Sequence, residues 1–121
     1  MNNLKIAVCG ASGKMGRALI GTIRDGEALE LSGALEVPGN PYLGKDAGAL
    51  LGFEAGVSIS SDIATIIDGA DVLIDFTRPD GTLRHLEACV SHKTAMVIGT
   101  TGFSDQEKAA IKQAAETIPI M

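Results

Sequence analysis

Gly10, Gly13 and Gly16 recur at three-residue spacing in the stretch VCGASGKMGR, directly after an apolar run. Glycine is a poor helix former, yet three of them stand where a helix must begin. In a strand–turn–helix unit each has a task. The first permits a tight turn, a later one lets backbone approach a diphosphate, and the third lets the helix pack closely on the strand. N–H groups at the helix start, aided by the helix dipole, then attract the anion. The spacing is GxxGxxG, with Ser12 where the usual GxGxxG fingerprint has its second glycine. A glycine-rich helix start in any α/β protein gives the same letters, so context must decide.

The context is favourable. Glu36 closes the next β-rich run, about twenty residues past Gly16, where a carboxylate can accept hydrogen bonds from ribose hydroxyls. A P-loop is excluded: Met15 stands where magnesium needs Ser or Thr, and Val8 where the first glycine belongs. Lys14 and Arg17 flank the diphosphate or face solvent. Glu36 also repels a 2′-phosphate, and Val37 and Pro38 behind it add no compensating cation. NADH is therefore the expected preferred cofactor, with NADPH as the second candidate.

Two further loops follow apolar runs: DFTRPDGT and GTTGF. Ligands of open α/β sheets sit beyond the carboxyl ends of strands, where strand order reverses. Phe76 offers a flat apolar wall and Arg78 a fixed cation. Gly99 to Gly102 offer backbone amides with the hydroxyls of Thr100 and Thr101. A nicotinamide ring needs such a wall and such donors, although turns use the same residues for ordinary reasons.

The elements that must position these residues alternate along the chain. Leu4–Cys9 reads as a buried strand, Gly13 to about Arg24 as a helix, and Leu29–Leu35 as a strand. Val37–Gly56 is a long loop with one short turn at DAGALL. Val57–Ile59 is a short strand, and Asp62–Ile67 a short helix behind a Ser60/Ser61 cap. Asp71–Phe76 is a strand. Pro79 fits the first turn of a helix reaching about Ser91, because its missing N–H costs nothing there. Ala95–Gly99 is a strand. Ser104 and Glu107 form a capping box for a helix to about Thr117, and IPIM starts a further strand. Such alternation implies a parallel sheet covered on both faces.

The 121 residues suffice for one domain with a real core. An apolar content of 45% excludes a disordered tail, and no run reaches the roughly 18 residues of a membrane span. MNNLKIAV lacks the pattern of a secretory signal, so the cytosol is the expected compartment and no membrane is involved. A net charge of −5 with few aromatics argues against a nucleic-acid surface. Cys9 and Cys89 have neither CxxC nor zinc spacing, so no metal is expected, and Cys9 reads as a buried thiol. His85 and His92 are expected on the solvated face of the third helix.

VCGASGKMGR, ALE, DFTRPDGTLRH and MVIGTTGF, in that order and at these separations, closely resemble the cofactor domain of the 4-hydroxy-tetrahydrodipicolinate (dihydrodipicolinate) reductase family. The resemblance covers nearly the whole chain. It implies a Rossmann-like doubly wound α/β sheet over residues 1–121 and NAD(P)H-dependent reduction in lysine and diaminopimelate synthesis. Gly10, Ala11, Ser12, Gly13, Lys14 and Met15 would then hold the diphosphate, and Glu36 the adenosine ribose. Phe76, Arg78, Gly99, Thr100 and Thr101 would take the nicotinamide end. Some members carry an arginine after the acidic residue, associated with accepting NADPH; Val37 stands here. The family's second domain brings a histidine pair, a lysine, the substrate site and most of a homotetramer's contacts. None of its motifs occurs here, so the chain is expected to be a fragment that binds a dinucleotide small molecule without turning over substrate.

Two other readings compete. Short-chain dehydrogenases also open with GxxGxxG, but their Tyr-x-x-x-Lys pair is missing: Tyr42 is followed by Lys45, at the wrong spacing. A non-enzymatic nucleotide-binding module, a redox sensor or a coenzyme A-binding domain, needs only the glycine turn.

Overall fold

The computed structural model describes residues 3–121 and contains five parallel strands in the order β3-β2-β1-β4-β5. They are β1 (Leu4–Cys9), β2 (Leu29–Leu35), β3 (Ile59–Ser60), β4 (Val72–Asp75) and β5 (Ala95–Ile98). The helices are α1 (Lys14–Asp25), α2 (Ile63–Ile67), α3 (Pro79–His92) and α4 (Asp105–Ala114), with a 3-10 turn at Ala49–Leu51. The strand-helix alternation read from the sequence is thus a Rossmann-like sheet. Strand ends differ by a residue or two: β3 begins at Ile59, opposite Ala34, because Val57 and Ser58 before it pair with the loop at Ala47 and Asp46 instead of with β2.

Period-two alternation in β1 divides the core. Ile6 and Val8 pack with Ala11, Ile20, Ile23 and Ala34 on the α1 face. Ala7 and Cys9 point the other way, toward Leu73, Leu86, Cys89 and Met96 beneath α2, α3 and α4. A strand buried on both faces is what a parallel sheet requires. Because Cys9 pairs with Asp75 in register, both side chains share the α3 face.

Helix starts follow local chemistry. Pro79 occupies the first turn of α3, with Arg78 as N-cap. Ser104 and Glu107 form the reciprocal capping box of α4. The cap of α2 differs from expectation: Asp62, not the Ser60/Ser61 pair, accepts from the Ala64 amide at 3.1 Å, since its longer side chain reaches the helix start. Ser60 instead accepts the Asp62 amide. In the long loop, Asp46 accepts from the amides of Gly48, Ala55 and Gly56, each at 2.8 Å. Those bonds hold the Asp46 carboxyl below its ordinary range, the Ala55 amide contributing most. Past α4, Ile120 forms a parallel bridge to Met96 where the sequence suggested a further strand.

From β1 the chain crosses through α1 to β2 on one side, while β4 lies on the other. The carboxyl ends of β1, β2 and β4 therefore open a crevice at the switch point.

Candidate functional site

The crevice begins where β1 ends. Gly10 turns the chain with a φ of +82°, a conformation disfavoured for residues with a Cβ. Its amide and that of Ala11 both donate to the Leu35 carbonyl, at 2.9 and 3.1 Å, docking the turn against the end of β2. Gly16 returns over that turn. A Cβ there would lie 2.0 Å from the Gly10 carbonyl oxygen, so only glycine allows α1 to close on the strand.

Counting amides shows which can face an anion. Those of Gly10 and Ala11 are taken by Leu35, and that of Gly13 by the Gly10 carbonyl at 3.0 Å. The Ser12 amide donates to Glu36 Oε2 at 2.8 Å. The amides of Lys14 and Met15, at the first turn of α1, have no partner among the described residues.

Glu36 follows directly on β2 and is half-buried. Its Oε2 takes the Ser12 amide and also the Ser12 hydroxyl, at 2.6 Å. Oε1 takes only the Val37 amide, at 3.3 Å. One carboxylate oxygen is thereby fixed and the other keeps acceptor capacity.

The far wall is organised by Asp75, the last residue of β4, which is fully buried (0% exposed). Its Oδ1 accepts from the Thr77 amide at 2.9 Å and the Thr77 hydroxyl at 2.6 Å. Its Oδ2 pairs with His85 Nδ1 at 2.6 Å. Thr100 joins from the β5 loop, accepting from the Thr77 amide at 3.0 Å and the Thr82 hydroxyl at 2.9 Å. The Phe76 ring lies flat against Gly99, where a Cβ would approach within 2.0 Å.

His85 corrects an expectation. It is buried (8% exposed) rather than solvated, because the inward face of α3 is Thr82, His85, Leu86 and Cys89. That i, i+3, i+4, i+7 spacing was a legible signal. His92 is exposed as expected.

Donor atoms of Cys9, Asp75 and His85 lie within 4.8 Å of one another. Burial drives the Cys9 thiol well above its ordinary range, and pushes Cys89 up to about 12, with Asp75 adding to both. Within this cluster Asp75 is hydrogen-bonded through both oxygens, to Thr77 and to His85.

A cavity of about 770 Å³ opens between the two walls. It brings together Gly10, Ser12, Gly13, Glu36, Phe76 and Arg78 from the sequence-derived set, and adds Ser61, Ile63, Arg84 and His85. Ala11 is buried beneath the turn, while Lys14 and Met15 are exposed on α1 outside the wall. Gly99, Thr100 and Thr101 do not line it: Thr100 turns inward to the Asp75 cluster and Thr101 is exposed. Arg78 is also exposed, at the α3 N-cap. The space is apolar-walled, with acceptors on one side and cations on the rim, and suits a ligand with a flat apolar end and hydroxyl donors.

Residues 4–121 match the family described as dihydrodipicolinate reductase, N-terminus. A 4-hydroxy-tetrahydrodipicolinate reductase of Nitrosomonas europaea is 54% identical over 121 residues, covering 100% of this chain and 45% of that protein. One from Cupriavidus necator is 54% identical over 118 residues, covering 98% and 44%. The chain thus spans about half the length of the curated relatives it matches. Among solved structures, a dipicolinate-bound dihydrodipicolinate reductase from Paenisporosarcina sp. TG-14 superposes with a TM-score of 0.72 at 27% identity, covering 95% of this chain and 43% of that one.

Proposed function

The chain belongs to the dihydrodipicolinate reductase family, and on that premise we propose that residues 1–121 are the dinucleotide-binding half of an NAD(P)H-dependent 4-hydroxy-tetrahydrodipicolinate reductase. The observation that carries this reading is the fixed Glu36 carboxylate, with Oε1 open, beside a glycine-shaped helix start. The crevice fits the cofactor: a Cβ at Gly16 would fill the turn, and the volume is of the size that holds small organic ligands.

In this reading the amides of Lys14 and Met15 receive the diphosphate, within the turn built by Gly10 to Gly13. Glu36 accepts from the adenosine ribose, its acceptor-only oxygens matching hydroxyl donors. Phe76, seated on Gly99, and Arg78 on the rim support the ring system. Thr100 ties the β5 loop to Thr77 and Thr82, beside the end of the crevice where the nicotinamide would lie. When bound, the reduced nicotinamide supplies a hydride. Substrate binding and protonation fall to residues outside this chain, in a full-length homotetramer of the cytosol. Among the described residues no helix is long and apolar enough to cross a membrane.

Thermal melting with added ligand tests the reading. NADH at a hundred times its dissociation constant adds about 2.7 kcal/mol of stability and raises the melting temperature visibly. NADH should protect more than NADPH, and coenzyme A not at all. Protection by coenzyme A alone would favour a non-enzymatic nucleotide module instead.

A further inference from the structure

Resting on that cofactor reading, we propose that Ser12 is a positioning residue that sets dinucleotide specificity by locking Glu36. At the second position of the glycine turn a side chain is not needed for the turn itself. Here the Ser12 side chain works against a residue 24 positions away. Its hydroxyl donates to Glu36 Oε2 at 2.6 Å while its amide donates to the same oxygen at 2.8 Å. The hydroxyl oxygen in turn accepts from Asn40 Nδ2 at 3.2 Å.

Asn40 is itself held. Its amide donates to the Val37 carbonyl at 3.1 Å and its Oδ1 accepts from the Tyr42 amide at 2.8 Å. Glu36, Ser12 and Asn40 therefore form one chain of hydrogen bonds that ties the loop after β2 to the glycine turn.

A half-buried glutamate at a cavity wall ordinarily has rotamers that swing it into solvent. Swinging away would vacate the space that a 2′-phosphate needs. The lock opposes this: moving Glu36 breaks two charge-assisted bonds to Ser12 and leaves the Ser12 amide unpaired. A ribose 2′-hydroxyl can donate to the open Oε1, whereas a 2′-phosphate has no proton to give and brings like charge. Discrimination thus depends on whether Glu36 stays, and Ser12 is what keeps it.

The test measures dissociation constants for NADH and NADPH by calorimetry on the wild-type chain, Ser12→Ala, Glu36→Ala and the double variant. In the wild type NADPH binds more weakly than NADH. Ser12→Ala should lower the NADPH-to-NADH ratio of dissociation constants by about tenfold, the scale of one charge-assisted bond. Damage to the turn in general would weaken both cofactors alike and leave that ratio in place. On the Glu36→Ala background, Ser12→Ala should change the ratio no further, because the residue it acts through is gone. Ser12→Gly, compatible with any turn geometry, reports the same quantity if Ser12→Ala fails to fold. An unchanged ratio in Ser12→Ala, or an equal change with and without Glu36, overturns the proposal. A wild-type chain that binds neither dinucleotide fails earlier, and rejects the cofactor reading itself.

Discussion

Glu36 and Asp75 are both carboxylates at the carboxyl ends of strands that flank β1; Glu36 lines the crevice, and Asp75 lies buried behind the opposite wall, bonded to the lining residues Thr77 and His85. Their surroundings differ. Asp75 is fully buried, and both its oxygens are taken by Thr77 and His85. Glu36 is half-buried, with one oxygen pinned by Ser12 and the other nearly free. Equivalent positions in the fold therefore leave the two acids in different surroundings. What differs is access: each accepts three hydrogen bonds, but Asp75 is sealed from solvent and only Glu36 lines the cavity. Asp75 holds the turn that presents Phe76, while Glu36 keeps an oxygen whose single bond is a long one, 3.3 Å from the Val37 amide.

Substitutions at the two sites should separate stability from binding. Asp75→Ala has the largest expected effect. Removing one partner of a buried, hydrogen-bonded pair costs about 3–5 kcal/mol, measurable as a lower urea midpoint. Glu36→Ala should instead leave stability within about 1 kcal/mol, as half-exposed hydrogen bonds do. It should weaken NADH binding about ten- to hundredfold in a fluorescence titration. If the two swapped behaviour, the contrast drawn between them would be wrong.

A smaller effect probes the buried side by pH. The Cys89 thiol, at 9.0 when free, is pushed up to about 12 by burial and then by Asp75. Its raised value means the folded chain keeps a proton that the unfolded chain releases, so stability is full below pH 9.0 and falls as pH rises toward about 12. Cys89→Ala should flatten that alkaline decline in pH-dependent melting. Asp46, a third carboxylate, gives the smallest expected effect and the opposite sign. Its lowered value makes its contribution present above pH 3.8 and lost as pH falls below it. Asp46→Asn should remove that part of the acid slope and leave dinucleotide binding alone.

Much of the frame was legible because it rests on local rules. Alternation in β1, Pro79 at a helix start and the Ser104/Glu107 box each depend on residues close in sequence. Glu36 was also legible, since its distance from the glycines fixes it at the end of β2. Asp75 and His85 were not recognised as a pair, because ten residues and a change from strand to helix separate them. A histidine on a helix reads as a surface group until its neighbours at Thr82, Leu86 and Cys89 are seen to face inward. Ser12 and Thr100 were read as ligand-facing. Hydroxyl direction is set by tertiary partners, here Glu36 for the first and the Thr77–Thr82 pair for the second.

The most direct test is a crystal structure of the chain soaked with NADH. The account predicts the diphosphate against the amides of Lys14 and Met15, with an adenosine ribose hydroxyl within hydrogen-bonding distance of Glu36 Oε1. A dinucleotide bound elsewhere, or in the crevice with its ribose turned away from Glu36, would contradict it.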